Sequence, residues 1–333
     1  MFPDEHSLAI DGAPKTNRHG ALLTWRDYVS VLRAAFHNAA GHAVPRGSRC
    51  AVLDFPSYAN VGDSAIWLGQ LEFLRGRDVD LVYTCDVHDY RRDKLARRVG
   101  GGVILLTGGG GFGDRYLDHQ RLREQVVSDF PENAVVQFPQ SIDFRDPGRA
   151  ERAAAVLSRH GGLTLLLRDE ISLRRARELG LEATLCPDAA FALPEAGRSV
   201  PPSSAVVWLS RTDAEKAVEP KDEVGGVDWL RDDVVDRVLH RVPLVRPQLR
   251  ERLAAGRVRR GARMLSRGRV VVTDRLHGHI LSLLLGIPHV LLDTANSKIR
   301  HFFETWTAGC EITHWADDAR QAASLAERLA RAT

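Results

Sequence analysis

The segment from Val270 to Leu292 places the tightest limits on what this chain can fold into. It begins with a β-branched run, passes through two polar residues into an apolar stretch that stops at Gly286, and enters a second apolar run after Pro288. Glycine is common just beyond a helix C-terminus, and proline cannot continue a helix. The segment therefore predicts a strand, a helix and a second strand. Because the helix is apolar on nearly every side, it should be buried.

Short apolar strands, turns and helices alternate along the rest of the chain in the same way. The predicted strands are Cys50 to Phe55, Leu81 to Tyr83, Val103 to Thr107, Ala134 to Phe138, Leu163 to Leu167, Ala183 to Leu185, Ala205 to Leu209, Val270 to Thr273 and Val290 to Leu292. The predicted helices are Trp25 to Ala40, one capped by Asp63 or Ser64, Pro147 to Arg159, Ile171 to Leu179, Trp229 to His240, Pro247 to Ser266 and Ala316 to Arg331. Such alternation is typical of parallel sheets covered by helices. The chain is therefore predicted to be an α/β protein.

One stretch is rich enough in proline, glycine and serine to separate two domains. It is PEAGRSVPPSS, residues 194–204. A chain of 333 residues is long enough for two hydrophobic cores. We therefore expect an N-terminal Rossmann-like domain over residues 1–196 and a C-terminal one over residues 203–333, with residues 194–204 as the linker. Residues 1–20 are expected to form a loose leader, and residues 213–226 a surface loop.

The charge balance and the cysteines exclude several classes of function. The 46 basic and 43 acidic residues nearly cancel, so the chain lacks the charge excess of a nucleic-acid-binding protein. Its four cysteines are far apart and show no CxxC spacing, which argues against a zinc site and for a reducing compartment. The sequence shows no signal peptide and no apolar run of membrane length, so we expect a cytoplasmic protein.

The stretch from Arg246 to Arg267 is rich in arginine. A run of charges on a predicted helix usually forms a solvated face. The alternative is attraction to an anionic membrane at its inner face, or to a pyrophosphate-linked acceptor. We expect a solvated face, with peripheral membrane contact as the alternative.

Two basic side chains stand where the predicted strand Val270 to Thr273 gives way to the buried helix. They are Arg275 and His277. In open α/β sheets ligands bind beyond the carboxyl ends of strands, and a helix N-terminus favours an anion. A guanidinium in such a crevice suits a carboxylate or a phosphate. His279 and His289 alternate with apolar residues and are interpreted as core.

Polar and glycine residues also follow the strands of the first half, at what should be the same edge of its sheet. The run from Gly108 to Gly113 satisfies GxGxxG, but the next strand ends in Pro139 and not in the acidic residue that would hold a ribose. No Lys-Ser or Lys-Thr pair follows the glycines, so a P-loop is disfavoured as well. Arg168 repeats the arrangement of Arg275, and its alternative interpretation is an ion pair with Asp169 or Glu170.

Six motifs in one order resemble the polysaccharide pyruvyl transferase family. They are NVGDSAI, GGGGFGD followed by Tyr116, PQSI, RDE-x-S, PDAAF, and TDRLHGHILSLLLGIPHVLLD followed by Lys298 and FFETW. The resemblance covers Phe55 to Trp306. It implies two Rossmann-like domains facing a cleft, as in the glycosyltransferase-B architecture. At one place the chain departs from the family, which commonly has asparagine and glycine where Thr294 and Ser297 precede the lysine.

The resemblance implies transfer of a pyruvyl group from phosphoenolpyruvate to two hydroxyls of a sugar, with release of phosphate. Phosphoenolpyruvate carries two anionic groups, for which Arg168, Arg275 and Lys298, with Leu276 beside them, are the predicted donor-binding residues. His277, with Arg275, is the predicted catalytic group, because an imidazole can transfer protons near neutrality. Asp63 is the second choice for acid–base catalysis. The predicted cleft or acceptor contacts are Asn60, Gly62, Gly109, Gly110, Gly111, Asp114, Gln140, Ser141 and Asp188.

This chemistry implies phosphoenolpyruvate as a co-substrate and a sugar or lipid-linked oligosaccharide as the acceptor, and it requires neither a metal nor a cofactor. Two alternatives remain open from the sequence. One is a nucleotide-sugar glycosyltransferase of the same architecture, which would release a nucleoside diphosphate. The other is a non-catalytic subunit of an envelope-glycan assembly that binds a sugar or a lipid carrier.

Overall fold

Two parallel sheets organise the part of the chain described by the computed structural model, which is residues 24–212, 227–230 and 247–332. This arrangement confirms the predicted α/β class. The expected leader, the expected surface loop over residues 213–226 and most of the predicted helix from Trp229 to His240 lie outside the described residues. No helix in the described ranges has the length and hydropathy that a membrane span requires.

The first half of the chain forms the larger sheet. Its elements are α1 (Trp25–Ala43), β1 (Arg49–Leu53), α2 (Val61–Arg75), β2 (Asp80–Cys85), α3 (Arg92–Val99), β3 (Val103–Leu106), β4 (Gly109–Gly113), α4 (Leu117–Asp129), β5 (Val135–Asp143), α5 (Pro147–Leu157), β6 (Leu163–Leu167), α6 (Glu170–Glu178), β7 (Thr184–Leu185) and a 3₁₀ turn (Ala189–Ala192). The strands lie in the order β2-β1-β3-β5-β6-β7, all parallel, and β4 pairs with β5. The chain leaves β1 on one side and returns on the other at β3. Such a reversal opens a crevice at the carboxyl ends of these strands.

The second half forms a sheet of four parallel strands. Its elements are β8 (Ser204–Leu209), α7 (Pro247–Ser266), β9 (Gly268–Thr273), α8 (Leu276–Leu284), β10 (His289–Leu291), α9 (Lys298–Phe302), a π-helical turn (Phe303–Thr307), β11 (Thr313–Trp315) and α10 (Ala319–Ala332). The strand order is β11-β10-β9-β8. Gly286 follows α8 with φ +64°, which confirms the predicted glycine at the end of this helix.

The start of α2 differs from the prediction, which placed the N-cap at Asp63 or Ser64. The helix is capped by Asn60, whose side chain accepts a hydrogen bond from the Gly62 N–H at 2.9 Å. Asp63 therefore lies in the first helical turn. Its carboxylate is available for contacts beyond the helix end.

The glycine run also differs from the prediction, in which the strand Val103 to Thr107 ends before the glycines and no further strand follows until Ala134. It forms β4, and its pairing partner β5 continues to Asp143. Gln140 and Ser141 therefore lie within a strand and not beyond its end. A side chain would prevent this close pairing of β4 with β5, because a Cβ on Gly113 would clash with the carbonyl oxygen of Asp143. The glycines let two backbones come together.

Helix α7 joins the two halves by packing against α2. Two of its arginines are fully buried: Arg250 donates to the carbonyl of Thr84 at 2.6 Å, and Arg257 donates to the carbonyl of Pro56 at 2.9 Å. The expectation of a solvated face is therefore wrong for these two residues. It holds for the exposed arginines of this stretch, which are Arg252, Arg259, Arg263 and Arg267.

Arg250→Ala is expected to lower the free energy of unfolding by about 2–3 kcal/mol, because Thr84 loses a charge-assisted hydrogen bond in a buried position. Arg252→Ala, on the exposed face of the same helix, is the matched control and should change stability by less than about 0.5 kcal/mol. Urea denaturation followed by circular dichroism measures both values. Equal losses in the two variants would contradict a structural role for the buried guanidinium.

Candidate active site

A cavity of about 420 Å³ lies where the carboxyl ends of strands from both sheets meet. This volume is in the range of small-molecule sites. Ten of the residues predicted from the sequence line it: Asn60, Asp63, Gly110, Gly111, Gln140, Arg168, Arg275, Leu276, His277 and Lys298. The structure therefore brings together the proposed donor-binding and proton-transfer groups, which come from sequence positions more than two hundred residues apart.

Four predicted residues lie behind the cavity wall or beside it. Gly62 lies against the ring of His277, and a Cβ on this glycine would be 2.5 Å from Nδ1. Gly109 belongs to β4, next to Asp63. Ser141 and Asp188 are both buried and contact the guanidinium of Arg168, as described below.

Asp114 lies apart from the cavity. Its carboxylate accepts hydrogen bonds from the backbone N–H groups of Arg145 and Asp146, at 2.8 to 3.0 Å. These bonds fix the chain between β5 and α5. The aspartate of the GGGGFGD motif thus has a structural role here.

Arg168 is held rigidly at the end of β6. Its Nε donates to the hydroxyl of Ser141 at 2.8 Å, and its Nη1 donates to Asp188 at 2.9 Å. The ion pair with Asp188 is almost completely buried. The alternative of a rim ion pair with Asp169 or Glu170 is therefore wrong, and Asp169 instead caps α6.

A second cation reaches the same place from the other half of the chain. If Gly110 carried a Cβ, that atom would lie 3.2 Å from Nζ of Lys298 and 3.3 Å from Nη2 of Arg168. The two cationic groups therefore converge over a residue without a side chain. Any larger residue at this position would displace both of them. Such an arrangement leaves room for an anionic group between the cations.

Ser297 stands directly before Lys298, at the position where the family that the sequence resembles commonly has glycine. Ser297 adopts the left-handed conformation, with φ +53° and ψ 23°. A non-glycine residue in this region costs about 1 kcal/mol. Despite the substitution, the lysine keeps the backbone turn that directs it toward the cavity.

His277 lies in the first turn of α8, close to the buried carboxylate that also holds Arg168. Its Nε2 lies 3.3 Å from Oδ2 of Asp188, which is within ion-pair distance although the hydrogen-bond angle is poor. Burial alone raises the pKa of Asp188, but His277, Arg168 and the Ala190 N–H outweigh this effect and hold that pKa well below its usual value. Asp188 is therefore a fixed negative charge facing two basic groups.

Arg275 is almost completely buried. One of its guanidinium nitrogens lies 2.7 Å from both carboxylate oxygens of Asp228. Asp228 also accepts hydrogen bonds from the backbone and side chain of Thr212, at 3.1 and 2.6 Å. Arg275 thus ties the segment 227–230 to the rim of the second sheet.

Asp63 is held by two donors. Its Oδ2 accepts hydrogen bonds from the hydroxyl of Tyr58 at 2.9 Å and from the side-chain amide of Asn60 at 2.7 Å. The predicted acid–base aspartate therefore faces the cavity as an oriented carboxylate. Asn60 both caps the helix and positions this group.

The sequence did not reveal a second histidine in the cavity, His119, which pairs with Asp54. Its Nδ1 lies 2.8 Å from one carboxylate oxygen and 2.9 Å from the other. Asp54 follows β1 with φ +72°, which is rare for a non-glycine residue and concentrates at functional sites. Burial lowers the pKa of His119, but the hydrogen bond and charge of Asp54, together with Asp63, outweigh it and raise that pKa.

Two further histidines, His279 on α8 and His289 on β10, form a buried network outside the cavity lining. Nδ1 of His289 lies 2.8 Å from the carbonyl of Ile287, so it carries the proton, and Nε2 accepts from Nδ1 of His279 at 2.7 Å. Nε2 of His279 then accepts from the hydroxyl of Thr307 at 3.0 Å. Both rings are completely buried, in agreement with their interpretation as core.

The free energy of unfolding should fall by at least about 2 kcal/mol between pH 7.5 and pH 5 because of this network. Burial lowers the pKa of His279 well below 6.5 and lowers the pKa of His289 to about 4. The unfolded chain therefore takes up protons below about pH 6.5 while the folded protein does not. Urea denaturation at several pH values measures how steeply the free energy of unfolding changes with pH. His289→Asn should reduce this dependence on pH, whereas His88→Asn, at an exposed position, should leave it unchanged. An equal dependence in the unaltered protein and both variants would contradict the assignment of the effect to the buried histidines.

Within the described ranges, no group of three or more histidine, cysteine, aspartate or glutamate side chains is arranged to hold a metal ion. Cationic, acid–base and aromatic side chains face the cavity, together with neutral polar residues and apolar residues such as Leu230 and Ile299. This set of groups is suited to binding an anion and moving protons beside it.

Several known proteins resemble this chain in sequence. The sequence model of the family described as polysaccharide pyruvyl transferase matches residues 60–296. Pyruvyl transferase 1 of Schizosaccharomyces pombe is 33% identical over 288 residues, which cover 79% of this chain and 71% of that protein. The putative pyruvyl transferase EpsO of Bacillus subtilis is 29% identical over 301 residues, covering 85% and 92% of the two chains.

A solved structure supports the fold. The crystal structure of an uncharacterized protein from Klebsiella pneumoniae superposes with a TM-score of 0.59 and covers 86% of this chain and 98% of that one. The two sequences are 17% identical, so the likeness concerns the fold alone.

Proposed function

Because this chain belongs to the polysaccharide pyruvyl transferase family, we propose that it moves a pyruvyl group from phosphoenolpyruvate to two hydroxyls of one sugar. The product is a cyclic ketal in a polysaccharide or a lipid-linked precursor, and phosphate is released. We also propose that the two sheets belong to paired Rossmann-like domains of the glycosyltransferase-B type. The cavity between their carboxyl edges supports this assignment.

The convergence of Arg168 and Lys298 over Gly110 is the observation that carries the proposal. Phosphoenolpyruvate has a carboxylate and a phosphate on a three-carbon frame. A site for it needs cations from more than one direction, in a space small enough to exclude larger ligands. Arg168 and Lys298 together can bind one of the two anionic groups of phosphoenolpyruvate. The N-terminus of α8 at Leu276, next to Arg275, is suited to binding the other.

The reaction requires a defined movement of protons. Two hydroxyls of the acceptor lose one proton each as their oxygens bond to the central carbon of the donor. One proton ends on the methylene carbon, which becomes a methyl group, and the other ends on the departing phosphate. No net proton is gained or lost, so the site needs groups that accept and return protons.

Two histidines that line the cavity can divide this task. His277 belongs to the second half, and His119 belongs to the first. His119 has a raised pKa beside Asp54, which suits a proton donor to the methylene carbon. His277 then accepts a proton from a hydroxyl, and the buried Asp188 stabilises the positive charge that forms.

The test is incubation of the purified protein with phosphoenolpyruvate and a panel of sugars, with assays for phosphate and for product mass. Phosphate release that depends on both substrates, and a product that carries a ketal-linked pyruvyl group, are the expected results. Release of a nucleoside diphosphate from a nucleotide sugar under the same conditions would instead indicate a glycosyltransferase. Absence of both reactions with every acceptor would favour a binding subunit.

His119→Asn is expected to lower kcat by about 100-fold, because the site loses one of two proton-transfer groups. The matched control is His42→Asn, which alters an exposed histidine on α1. Initial rates of phosphate release at saturating substrate give the comparison. A kcat for His119→Asn equal to that of the control would remove His119 from the mechanism.

A further inference from the structure

A second depression adjoins the cavity on the side of the first half. It has a volume of about 310 Å³ and shares three lining residues with the cavity: Tyr58, Tyr116 and His119. We call these three residues the aromatic rim. The steps of pyruvyl transfer described above need only the cavity. The depression on the far side of the rim therefore has no role in the chemistry itself.

The two tyrosines of the aromatic rim are exposed, although most large apolar side chains of the described chain are buried, and His119 between them is partly buried. Tyr58 and Tyr116 are 44% and 43% exposed. Each tyrosine ring meets the ring of His119 at a steep angle, with centroids 6.0 and 6.2 Å apart. The hydroxyl of Tyr58 is also fixed on Asp63. Anchored rings that stay exposed offer a firm surface for the apolar C–H face of a sugar ring.

The depression beyond the rim combines polar and apolar groups. Ser57, His88 and Asp118 provide hydroxyl, imidazole and carboxylate groups, and Val87 and Leu117 provide apolar contacts. A saccharide unit needs both kinds of contact, because its hydroxyls require donors and acceptors while its ring carbons do not. An entirely apolar hollow would not accommodate it.

We propose that this depression binds the second saccharide unit of the acceptor, the unit joined to the sugar that receives the pyruvyl group. The terminal sugar then lies in the cavity, and the chain crosses the aromatic rim. This inference rests on the proposed function and deepens it, because it assigns the second saccharide unit to a defined depression of the first half, beside the sugar that reacts.

Saturation-transfer NMR tests the inference without requiring turnover. The probes are methyl glycosides of galactose, glucose, mannose and N-acetylglucosamine, each alone and as the non-reducing end of a β-1,4-linked disaccharide. We expect strong saturation on both rings of a bound disaccharide, and about tenfold tighter binding than for the matching monosaccharide. Ser57→Trp, which fills the depression, should leave saturation only on the terminal ring. Tyr116→Ala should weaken disaccharide binding, whereas Val31→Ala, at an equally exposed apolar position on α1, is the control.

The outcomes separate this inference from the proposed function. Saturation confined to the terminal ring in the unaltered protein, or equal binding of disaccharide and monosaccharide, overturns the second-unit site even if phosphoenolpyruvate-dependent phosphate release is observed. The same is true if no sugar in the panel binds. Two-ring saturation that disappears in Ser57→Trp supports the site, and the separate phosphate assay decides the reaction.

Discussion

His277→Ala is expected to lower kcat by about 10³-fold while the protein remains folded. The imidazole lines the cavity and shares the buried carboxylate of Asp188 with Arg168, at 3.3 Å from its Nε2. Removing the ring leaves the proposed donor-binding groups in place, so binding of phosphoenolpyruvate should change less than turnover. Arg275→Ala should also lower turnover strongly, because the helix N-terminus loses both a cation and its tie to Asp228.

The measurements for His277→Ala are single-turnover phosphate release and thermal unfolding. His301→Ala is the control, because this histidine belongs to the same half but does not line the cavity. A variant that stays folded and turns over at the unaltered rate would refute the assignment of His277. A variant that unfolds would be replaced by His277→Gln, which retains most of the side-chain volume, and the same criterion applies to it.

Asp188→Asn is expected to lower kcat/KM by about 10²- to 10⁴-fold, although Asp188 lies behind the cavity wall. Its carboxylate is completely buried and faces both Arg168 and His277. An amide has the same size but removes the charge. The guanidinium of Arg168 would then be buried without its counter-charge, which is unfavourable. The site should lose both an oriented cation and the support of the imidazolium.

The control for Asp188→Asn is Asp146→Asn. Both aspartates cap a helical element through backbone N–H groups, and asparagine caps equally well. The control should therefore retain full activity. A double variant with Arg168→Gln adds a second criterion, because residues in direct contact give non-additive effects. Strictly additive losses, or a loss as large in Asp146→Asn, would contradict the proposed coupling.

The parts of the fold that were predictable from the sequence depend on local periodicity. The strand, helix and strand around Gly286 follow from apolar runs and punctuating residues, and the structure contains them at nearly the predicted positions. The presence of Arg168, Arg275 and Lys298 in the cavity was predictable for the same reason, since each follows a recognisable strand or motif. Local signals were less decisive at α2, where Asn60, Asp63 and Ser64 are all good caps and the first of them is used.

The missed features depend on which strands are neighbours in the sheet. Asp54 and His119 are 65 positions apart, and they meet because β1 and the glycine strand end at the same crevice. Arg168 finds Asp188 for a similar reason, as β6 and β7 are adjacent. The extension of β5 through Gln140 requires β4 as an additional partner. A sequence without its sheet order contains no local signal for such pairs.

Helix α7 has a consequence for how substrates reach the cavity. Sliding or rotating one half away from the other would break the buried, charge-assisted hydrogen bonds that Arg250 and Arg257 donate to the carbonyls of Thr84 and Pro56. That penalty works against a clamshell motion of the whole molecule. Donor, acceptor and phosphate would then enter and leave the cavity through the opening beside Tyr58 and Tyr116, without a separation of the two halves.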